Sequence, residues 1–334
     1  MSSEMDAYVI DEFGGPDAFE RRTVEIPDPD PDEVRVEVVA SSVNPVDYKI
    51  RRGHIPDFAP AFPATLGCDV AGVVDAVGED VDAFEPGDEV YGMPGGAGRQ
   101  GALADYVVGH AGTFAHAPES IPLEDSAALP VVALTAWEML ADKASVDIGD
   151  DVLVYGATGG VGHVGVQLAD WFGATVTATG STAEKRSLAA DLGADATVDY
   201  TETSVESYVD EHAGGVGFDV VFDPVGDDHL NASFEAVRPF GSVVTTESSD
   251  ADGVDLSPMH ATSLSLGVVL VILPVLLGDG QERVGNELET IASLVDKGAV
   301  APHIDERYAF ADVADAHRRA EAGDFVGKLL LVNE

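Results

Sequence analysis

The sequence predicts an α/β protein in which a doubly wound parallel sheet accompanies a smaller, mostly antiparallel β domain. Three observations lead to this prediction. Residues 1–126 contain short segments that alternate in the manner of strands, residues 127–275 alternate between apolar strands and helical segments, and an apolar run leads through clustered glycines into an amphipathic helix. A chain of 334 residues is long enough for two such domains.

The order of the predicted elements follows from these changes of period. Strands of the first domain are predicted at 7–10, 34–39, 70–77 and 104–108. Strands of the second domain are predicted at 152–155, 175–179, 196–199, 218–222, 241–245 and 268–273. A helix at 282–297 and a strand, helix and strand within 301–334 complete the chain. Because no linker separates the domains, we expect a cleft between them.

The segment 152–172, VLVYGATGGVGHVGVQLADWF, is the most informative motif. Its glycines let the backbone turn sharply and approach a pyrophosphate, and the amides at the start of the helix face that negative charge. An ordinary βα turn without a ligand is the alternative. The residues predicted to contact a dinucleotide are Gly156, Ala157, Thr158, Gly159, Gly160, Val161 and Gly162.

The charge balance is strongly acidic, with 61 Asp and Glu against 17 Lys and Arg and a formal net charge of −44. The excess is spread along the whole chain, which speaks against a disordered acidic tail. Such a surface repels nucleic acid and anionic membranes, so we expect neither as a partner. We interpret the chain as a halophilic protein of a high-salt cytoplasm; a merely acidic mesophilic protein is the alternative.

Cysteine usage and the first residues bear on the compartment. Cys68 is the single cysteine, which excludes an intrachain disulfide and a four-cysteine structural zinc site and favours a reducing compartment. The segment MSSEMDAYVI lacks the basic and apolar regions of a signal peptide. The apolar stretch 264–277 contains Pro274, is too short to span a bilayer, and is interpreted as a buried strand followed by a bend. We therefore expect a cytoplasmic protein.

Several strings together resemble one known family. They are GGP at 14–16, SVNPVDYKIRRG at 42–53, TLGCDVAGVVDAVG at 65–78, GDEVYG at 87–92, GALADYVV at 101–108, LPVVALTAWE at 129–138, FDVVFDPVG at 218–226 and GKLLL at 327–331. With the glycine motif, they make the chain similar to the medium-chain dehydrogenase/reductase superfamily. The similarity is to its zinc-free quinone oxidoreductase and alkenal/enone reductase branch.

This resemblance implies a domain plan and an assembly. A GroES-like β-barrel catalytic domain would be built from residues 1–126 and 276–334. A Rossmann NADPH-binding domain would occupy residues 127–275, and the protein would be a homodimer. The resemblance does not separate two roles for the stretch 264–277, which could line the acceptor pocket or form an edge-strand dimer contact.

The zinc ligands of the metal-dependent members of this superfamily are replaced here. Where those enzymes carry a cysteine and a Gly-His-Glu string, this chain has Asn44 and the string Gly67, Cys68 and Asp69. A neutral amide is a poor zinc ligand. An irregular site from Cys68, Asp69, Asp47 and His54 lacks the usual spacing but stays open as an alternative. We predict no metal, and an acceptor that is already polarised, a quinone or an α,β-unsaturated carbonyl.

Three residues are candidates for the catalytic pocket. Asn44 matches a family position that contacts the nicotinamide ribose and the substrate region, and its alternative role is a turn before Pro45. The phenol of Tyr48 could donate a hydrogen bond to a carbonyl oxygen, and Asp47 could orient its neighbours. Packing or capping is the alternative for both.

The end of the second strand of the parallel sheet predicts NADPH rather than NADH. The segment 179–181 carries no acid that would bind the ribose hydroxyls, and Lys185 and Arg186 follow it. Arg186 could instead lie on a solvated helix face, and the acidic Glu184 is assigned to the other face. By resemblance, the residues at the 2′-phosphate are Ser181, Lys185 and Tyr200. Those at the nicotinamide end are Thr135, Val225 and Gly226, although 224–226 could be only a strand-ending turn.

The function predicted from these residues is an NADPH-dependent, zinc-independent reductase of quinones or enones. A metal-assisted alcohol or sugar dehydrogenase is a second hypothesis, and the replaced zinc ligands speak against it. A non-catalytic NADPH-binding protein is a third, and the intact segment from Asn44 to Tyr48 speaks against that.

The net charge generates a test that needs no substrate. Self-repulsion of this size destabilises a compact fold in dilute buffer, whereas the screening length is about 3 Å at 1 M salt. We expect the melting temperature to climb steeply from low to multimolar KCl, measured by calorimetry. A flat response would contradict a high-salt adaptation.

Overall fold

A computed structural model describes residues 4–247 and 253–334. Residues 1–3, the start of the segment inspected for a signal peptide, lie outside the described residues. The chain divides into two units. Unit 1 comprises Met1–Leu134 and Ile272–Glu334, and unit 2 comprises Thr135–Val271.

The described elements include most of those predicted, in the predicted order, together with short strands that were not predicted; the strand predicted at 268–273 is replaced by a strand at Ser265–Val268. The strands are β1 Glu4–Ile10, β2 Glu20–Glu25, β3 Glu33–Ser42, β4 Ala64–Thr65, β5 Val70–Val77, β6 Glu89–Gly92, β7 Tyr106–His110, β8 Phe114–His116, β9 Asp151–Val154, β10 Thr175–Thr179, β11 Ala196–Val198, β12 Phe218–Asp223, β13 Val237–Thr245, β14 Ser265–Val268, β15 Ile304–Ala309 and β16 Lys328–Val332. The α-helices are α1 Pro45–Arg51, α2 Leu123–Ser126, α3 Pro130–Trp137, α4 Gly160–Trp171, α5 Ala183–Asp191, α6 Val205–His212, α7 Leu230–Ala236, α8 Ser257–Thr262, α9 Leu273–Leu277, α10 Gln281–Asp296 and α11 Val313–Ala322.

Unit 1 is built on the long strand β3. This strand pairs antiparallel with β5, β7 and β16, so strands from both ends of the chain share one sheet. The alternating apolar residues of β3, including Val34, Val36 and Val38, are buried. A second sheet has the order β2-β1-β4. The mostly antiparallel character predicted for this part of the chain is confirmed.

Unit 2 contains a parallel sheet of the order β11-β10-β9-β12-β13-β14. In sequence order this is 3-2-1-4-5-6, which is the strand order of the doubly wound dinucleotide-binding fold. Its central strands β9 and β12 are apolar because helices cover both faces of such a sheet, and Leu153 and Phe222 are fully buried. The predicted doubly wound parallel sheet is confirmed.

The unit borders differ from the predicted domain borders at 126/127 and 275/276. Residues 127–134 belong to unit 1. The backbone amide of Val131 donates a hydrogen bond of 2.8 Å to the Asp69 carboxylate there. Residues 272–275 also belong to unit 1, where α9 brings Leu276 against Gly98. Neither contact could be inferred from the spacing of apolar residues in the sequence, because each joins segments that are far apart in the chain.

The stretch 264–277 is not a buried strand followed by a bend. It holds the edge strand β14, whose residues are half-buried or exposed, and then the short helix α9, with Pro274 in its first turn. Leu264 and Val275 are buried, whereas Val268 and Leu277 are exposed. The prediction of full burial was wrong because the strand lies at the sheet edge.

Within 4–247 and 253–334, no helix is both long enough and apolar enough to cross a membrane.

Candidate functional site

In unit 2 the turn from β9 into α4 brings the backbone of Gly162 close to the backbone of Gly156. Gly156 adopts a positive φ of 55°, and the amide of Gly159 donates to its carbonyl at 2.9 Å. A Cβ atom placed on Gly162 would lie 2.0 Å from the Gly156 carbonyl oxygen. Only glycine fits there, so the first turn of α4 can begin directly above the end of β9.

The predicted dinucleotide residues share one edge of this sheet. Parallel strands present their carboxyl ends on the same side, and β9 lies where the chain reverses its direction across the sheet, between β10 and β12. Ligands of doubly wound folds bind outside the carboxyl ends of the strands at this point. Gly156, Val161 and Gly159 are at least partly exposed, while Ala157 and Thr158 are buried.

The loop that follows β12 lies against the glycine turn. The side chain of Val225 is 3.4 Å from the position of a Cβ on Gly156. One oxygen of the buried Asp223 carboxylate accepts the amides of Val225 at 3.1 Å and Gly226 at 3.0 Å. The other accepts Ser233 Oγ at 2.6 Å. Asp223 therefore holds the loop in place.

The pKa of Asp223 reflects these bonds. Burial would raise it, but hydrogen bonds from His229, Ser233 and the Gly226 amide outweigh burial, and the pKa lies below its ordinary value. The carboxylate therefore stays ionised and continues to accept the loop amides of Val225 and Gly226.

The ends of β10 and β11 are tied together by Arg186. Its Nη1 donates to the Gly180 carbonyl at 2.9 Å and to the Asp199 carboxylate at 2.7 Å. Arg186 therefore neutralises the acid nearest the end of β11 and does not lie on a purely solvated face. Tyr200 follows Asp199 and is 51% exposed.

Lys185 lies in the first turn of α5, where the side chain of Thr182 accepts its backbone amide at 3.2 Å. Its side chain is half-buried, as is Ser181. Within the described parts of the chain its ammonium forms no ion pair. Glu184 is exposed, as the assignment to the other face expects.

The glycine cradle fits a dinucleotide. Gly162 lets the first turn of α4 pack directly against the Gly156 carbonyl, and the backbone of Gly156, Gly159 and Gly160 stays at least partly exposed at the N-terminus of that helix. Exposed backbone at a helix N-terminus is what a pyrophosphate requires. Thr135, the remaining predicted cofactor contact, lies near the end of α3 and is 4% exposed.

Asn44 and Asp47, two of the three predicted catalytic residues, meet in one buried network in unit 1. Asn44 caps the N-terminus of α1, and Asp47 Oδ2 accepts its backbone amide at 2.8 Å. The Asn44 side chain donates from Nδ2 to Asp69 Oδ2 at 2.7 Å and accepts at Oδ1 from Lys328 Nζ at 2.6 Å. Tyr48, on the next position of α1, is half-buried.

Burial dominates the electrostatics of this network. Asn44, Asp47, Asp69 and Lys328 are each at most 2% exposed. Burial raises the pKa of Asp47 to about 6, although the Asn44 amide opposes the shift. Burial also raises the pKa of the Cys68 thiol well above its ordinary value, which keeps the thiol protonated.

Lys328 is the residue of this network that the sequence analysis did not single out. It appeared only within the string GKLLL. A lysine inside an apolar strand is a usable signal, because a buried ammonium requires acceptors and a counter-charge nearby. Its partners lie 284 residues away along the chain and could not be named from the sequence.

Comparisons with known proteins give the family. Residues 30–119 match the alcohol dehydrogenase GroES-like domain, and residues 192–331 match the zinc-binding dehydrogenase family. The chain is 33% identical over 338 residues to 2-methylene-furan-3-one reductase of Solanum lycopersicum, a match that covers 98% of this chain and 79% of the relative. The chain belongs to the medium-chain dehydrogenase/reductase superfamily.

Two further relatives agree with this assignment. The quinone oxidoreductase of Pseudomonas aeruginosa is 32% identical over 324 residues, covering 96% of this chain and 97% of the relative. Among solved structures, the mycobacterial protein Rv1454c, complexed with NADPH, is 30% identical with a TM-score of 0.86, covering 98% of this chain and 99% of that one. The α/β fold with a GroES-like domain and a Rossmann-type sheet, and membership of an oxidoreductase superfamily, are thus confirmed.

The matched family description names zinc, but the residues in this network do not fit it. Lys328 Nζ lies 2.6 Å from Asn44 Oδ1 and 3.5 Å from Asp69 Oδ2, so an ammonium already stands between the oxygen donors. His54 is exposed, whereas Cys68 and Asp47 are buried, so the irregular site considered from the sequence is not assembled. Within the described residues no group of three His, Cys, Asp or Glu side chains is arranged to hold a metal ion.

Proposed function

We propose that the chain is an NADPH-dependent reductase of quinones or α,β-unsaturated carbonyls that works without zinc. The observation that carries the proposal is the glycine turn between β9 and α4 of the unit 2 sheet, where Gly162 packs against the Gly156 carbonyl and leaves the exposed Gly156 backbone beside the N-terminus of α4. The tomato relative is a furanone reductase and the Pseudomonas relative a quinone oxidoreductase. Both names describe acceptors in which a conjugated system receives the electrons.

The preference for NADPH rests on the residues that follow β10 and β11. No acid stands at the tip of β10, where a carboxylate would bind the ribose hydroxyls and repel a 2′-phosphate. The nearby acid, Asp199, is paired with Arg186. We assign the ammonium of Lys185 to the 2′-phosphate, together with the side chains of Ser181 and Tyr200. The complex of Rv1454c with NADPH supports the same preference.

Among residues 4–247 and 253–334 no side-chain group fits zinc, and the replaced ligands Asn44 and Cys68 favour an acceptor that needs no Lewis acid. When bound, the reduced nicotinamide supplies the hydride. A conjugated acceptor takes it at carbon and gathers negative charge on its oxygen. We assign to the Tyr48 phenol the hydrogen bond to that oxygen. Asn44 and Asp47, buried and bonded to each other, position the first turn of α1 that carries Tyr48.

Two further features stay predictions, the homodimer and the high-salt cytoplasm. The homodimer is supported by the exposed Val268 on the edge strand β14, since unpaired edges with apolar residues favour pairing with another chain. The acidic composition supports a high-salt cytoplasm.

The acceptor class is tested by following NADPH oxidation in multimolar KCl with 1,4-quinones, short alkenals and cyclic enones. We expect turnover with at least one of these classes and none with simple alcohols and NADP⁺. NADPH binding without oxidation by any of them would favour the non-catalytic reading.

Lys185→Ala tests the cofactor preference. Because a charge-assisted contact with a phosphate is lost, we expect the KM for NADPH to rise roughly 10- to 100-fold, while the KM for NADH changes less than about twofold. Steady-state kinetics with both cofactors measures this. Lys297→Ala, which removes an exposed lysine in unit 1, is the matched control and should leave both values unchanged. Equal effects of Lys185→Ala on the two cofactors would contradict the assignment.

Tyr48→Phe tests the proposed hydrogen bond to the acceptor. Loss of one donor to a developing oxyanion should lower kcat roughly 100-fold, with the Kd for NADPH unchanged in fluorescence titration. Tyr106→Phe, on β7, is the matched control and should retain activity. An unchanged kcat for Tyr48→Phe would assign the phenol to packing.

A further inference from the structure

Lys328 places a positive charge in a fully enclosed part of unit 1. We define the cation pocket as the Val43 carbonyl together with the side chains of Asn44 and Asp69; Cys68 precedes Asp69 in the chain and is also buried. Lys328 Nζ donates to Val43 O at 3.0 Å and to Asn44 Oδ1 at 2.6 Å, and lies 3.5 Å from Asp69 Oδ2. Three oxygen acceptors thus face the three hydrogens of one ammonium.

The backbone determines where this ammonium lies. Strand β16 pairs antiparallel with β3, with Leu330 opposite Ser42, and the amide of Val43 continues the ladder to Leu329 O at 3.1 Å. The same register places Lys328 opposite Asn44. The strand pairing therefore fixes the backbone of Lys328, and its buried ammonium lies at the start of α1.

The surrounding groups leave one arrangement for the Asn44 amide. Lysine can only donate, and an ionised carboxylate can only accept. The Asn44 oxygen must therefore face Lys328 and its nitrogen must face Asp69, as the distances of 2.6 and 2.7 Å show. Asp69 is further satisfied by the hydroxyl of Ser42 and by the amide of Val131 at 2.8 Å.

We propose that the Lys328 ammonium is the resident cation of this pocket: it occupies the place that a metal ion would need between Asn44 and Asp69, and it holds the Asn44 amide at the start of α1. The zinc named by the matched family description is thus replaced by a covalently attached charge. The proposal is independent of which acceptor the enzyme reduces, and Lys328 acts as a positioning residue through Asn44.

The pocket also explains how the charges balance. The ammonium lies nearest to the Asp69 carboxylate, and the Asp47 carboxylate also acts on it electrostatically while accepting the amides of Asn44 at 2.8 Å and Gly67 at 3.3 Å. Removing Lys328 alone would leave the buried Asp69 carboxylate with its hydrogen bonds but without its nearest counter-charge, which costs more free energy than replacing both members of the pair by neutral groups.

A double-mutant cycle in multimolar KCl tests the pairing. We expect Lys328→Met to lower the melting temperature by roughly 10 °C and the double variant with Asp69→Asn to recover at least half of that loss. Lys297→Met should change nothing, since Lys297 is exposed. Independent, additive effects of Lys328→Met and Asp69→Asn would overturn the proposal, and the double variant keeps this comparison available even when the single variant folds poorly.

Cobalt binding tests the claim that the ammonium fills a cation site. In titrations of the full chain with Co²⁺, wild type should show no thiolate-to-cobalt absorption. Lys328→Ala should gain it, and Lys328→Ala with Cys68→Ser should lose it again. Cys68-dependent cobalt binding by wild type, or no gain in a folded Lys328→Ala variant, would overturn the proposal. Neither readout uses turnover, so its failure is distinguishable from failure of the proposed reductase activity.

Discussion

The close approach of α4 to the end of β9 is the constraint on which the rest of the nucleotide-binding unit depends. A Cβ on Gly162 would lie 2.0 Å from the Gly156 carbonyl, so this contact exists only with glycine. It brings the N-terminus of a twelve-residue helix to the carboxyl edge of the sheet. The loop after β12 then packs against the same turn, held by Asp223. Charge, backbone and space at this edge all favour an anionic dinucleotide.

Unit 1 contains a buried cation, whereas the edge of the unit 2 sheet favours an anion. Oxygens of Val43, Asn44 and Asp69 surround the Lys328 ammonium. A polar network at this depth stabilises only when every member is satisfied, and here the amide of Asn44 is bonded at both ends. The same network fixes the start of α1 and hence the backbone that carries Tyr48. Lys328 is thus one of only 17 basic residues in the chain, and it is buried.

Local pattern was sufficient for most strands of the parallel sheet, for the longer antiparallel strands and for the glycine turn, because strand period, helix period and turn glycines act within about 20 residues. The predicted parallel sheet and the mostly antiparallel domain therefore agree with the structure. Contacts between distant segments were beyond this reasoning: they include the Lys328–Asn44 bond and the Val131–Asp69 bond within unit 1. The stretch 264–277 was misjudged because composition does not reveal that β14 is an edge strand.

The central claim, transfer of hydride from a reduced pyridine nucleotide to a conjugated carbon, is tested most directly by isotope labelling. NADPH carrying deuterium at C4 in either configuration would be incubated with a cyclic enone and the enzyme in multimolar KCl, and the product analysed by mass spectrometry and NMR. The account predicts a saturated ketone with one deuterium at the β-carbon from one of the two labelled cofactors. Deuterium at the carbonyl carbon of an allylic alcohol, or a reduced product without label from either cofactor, would contradict it.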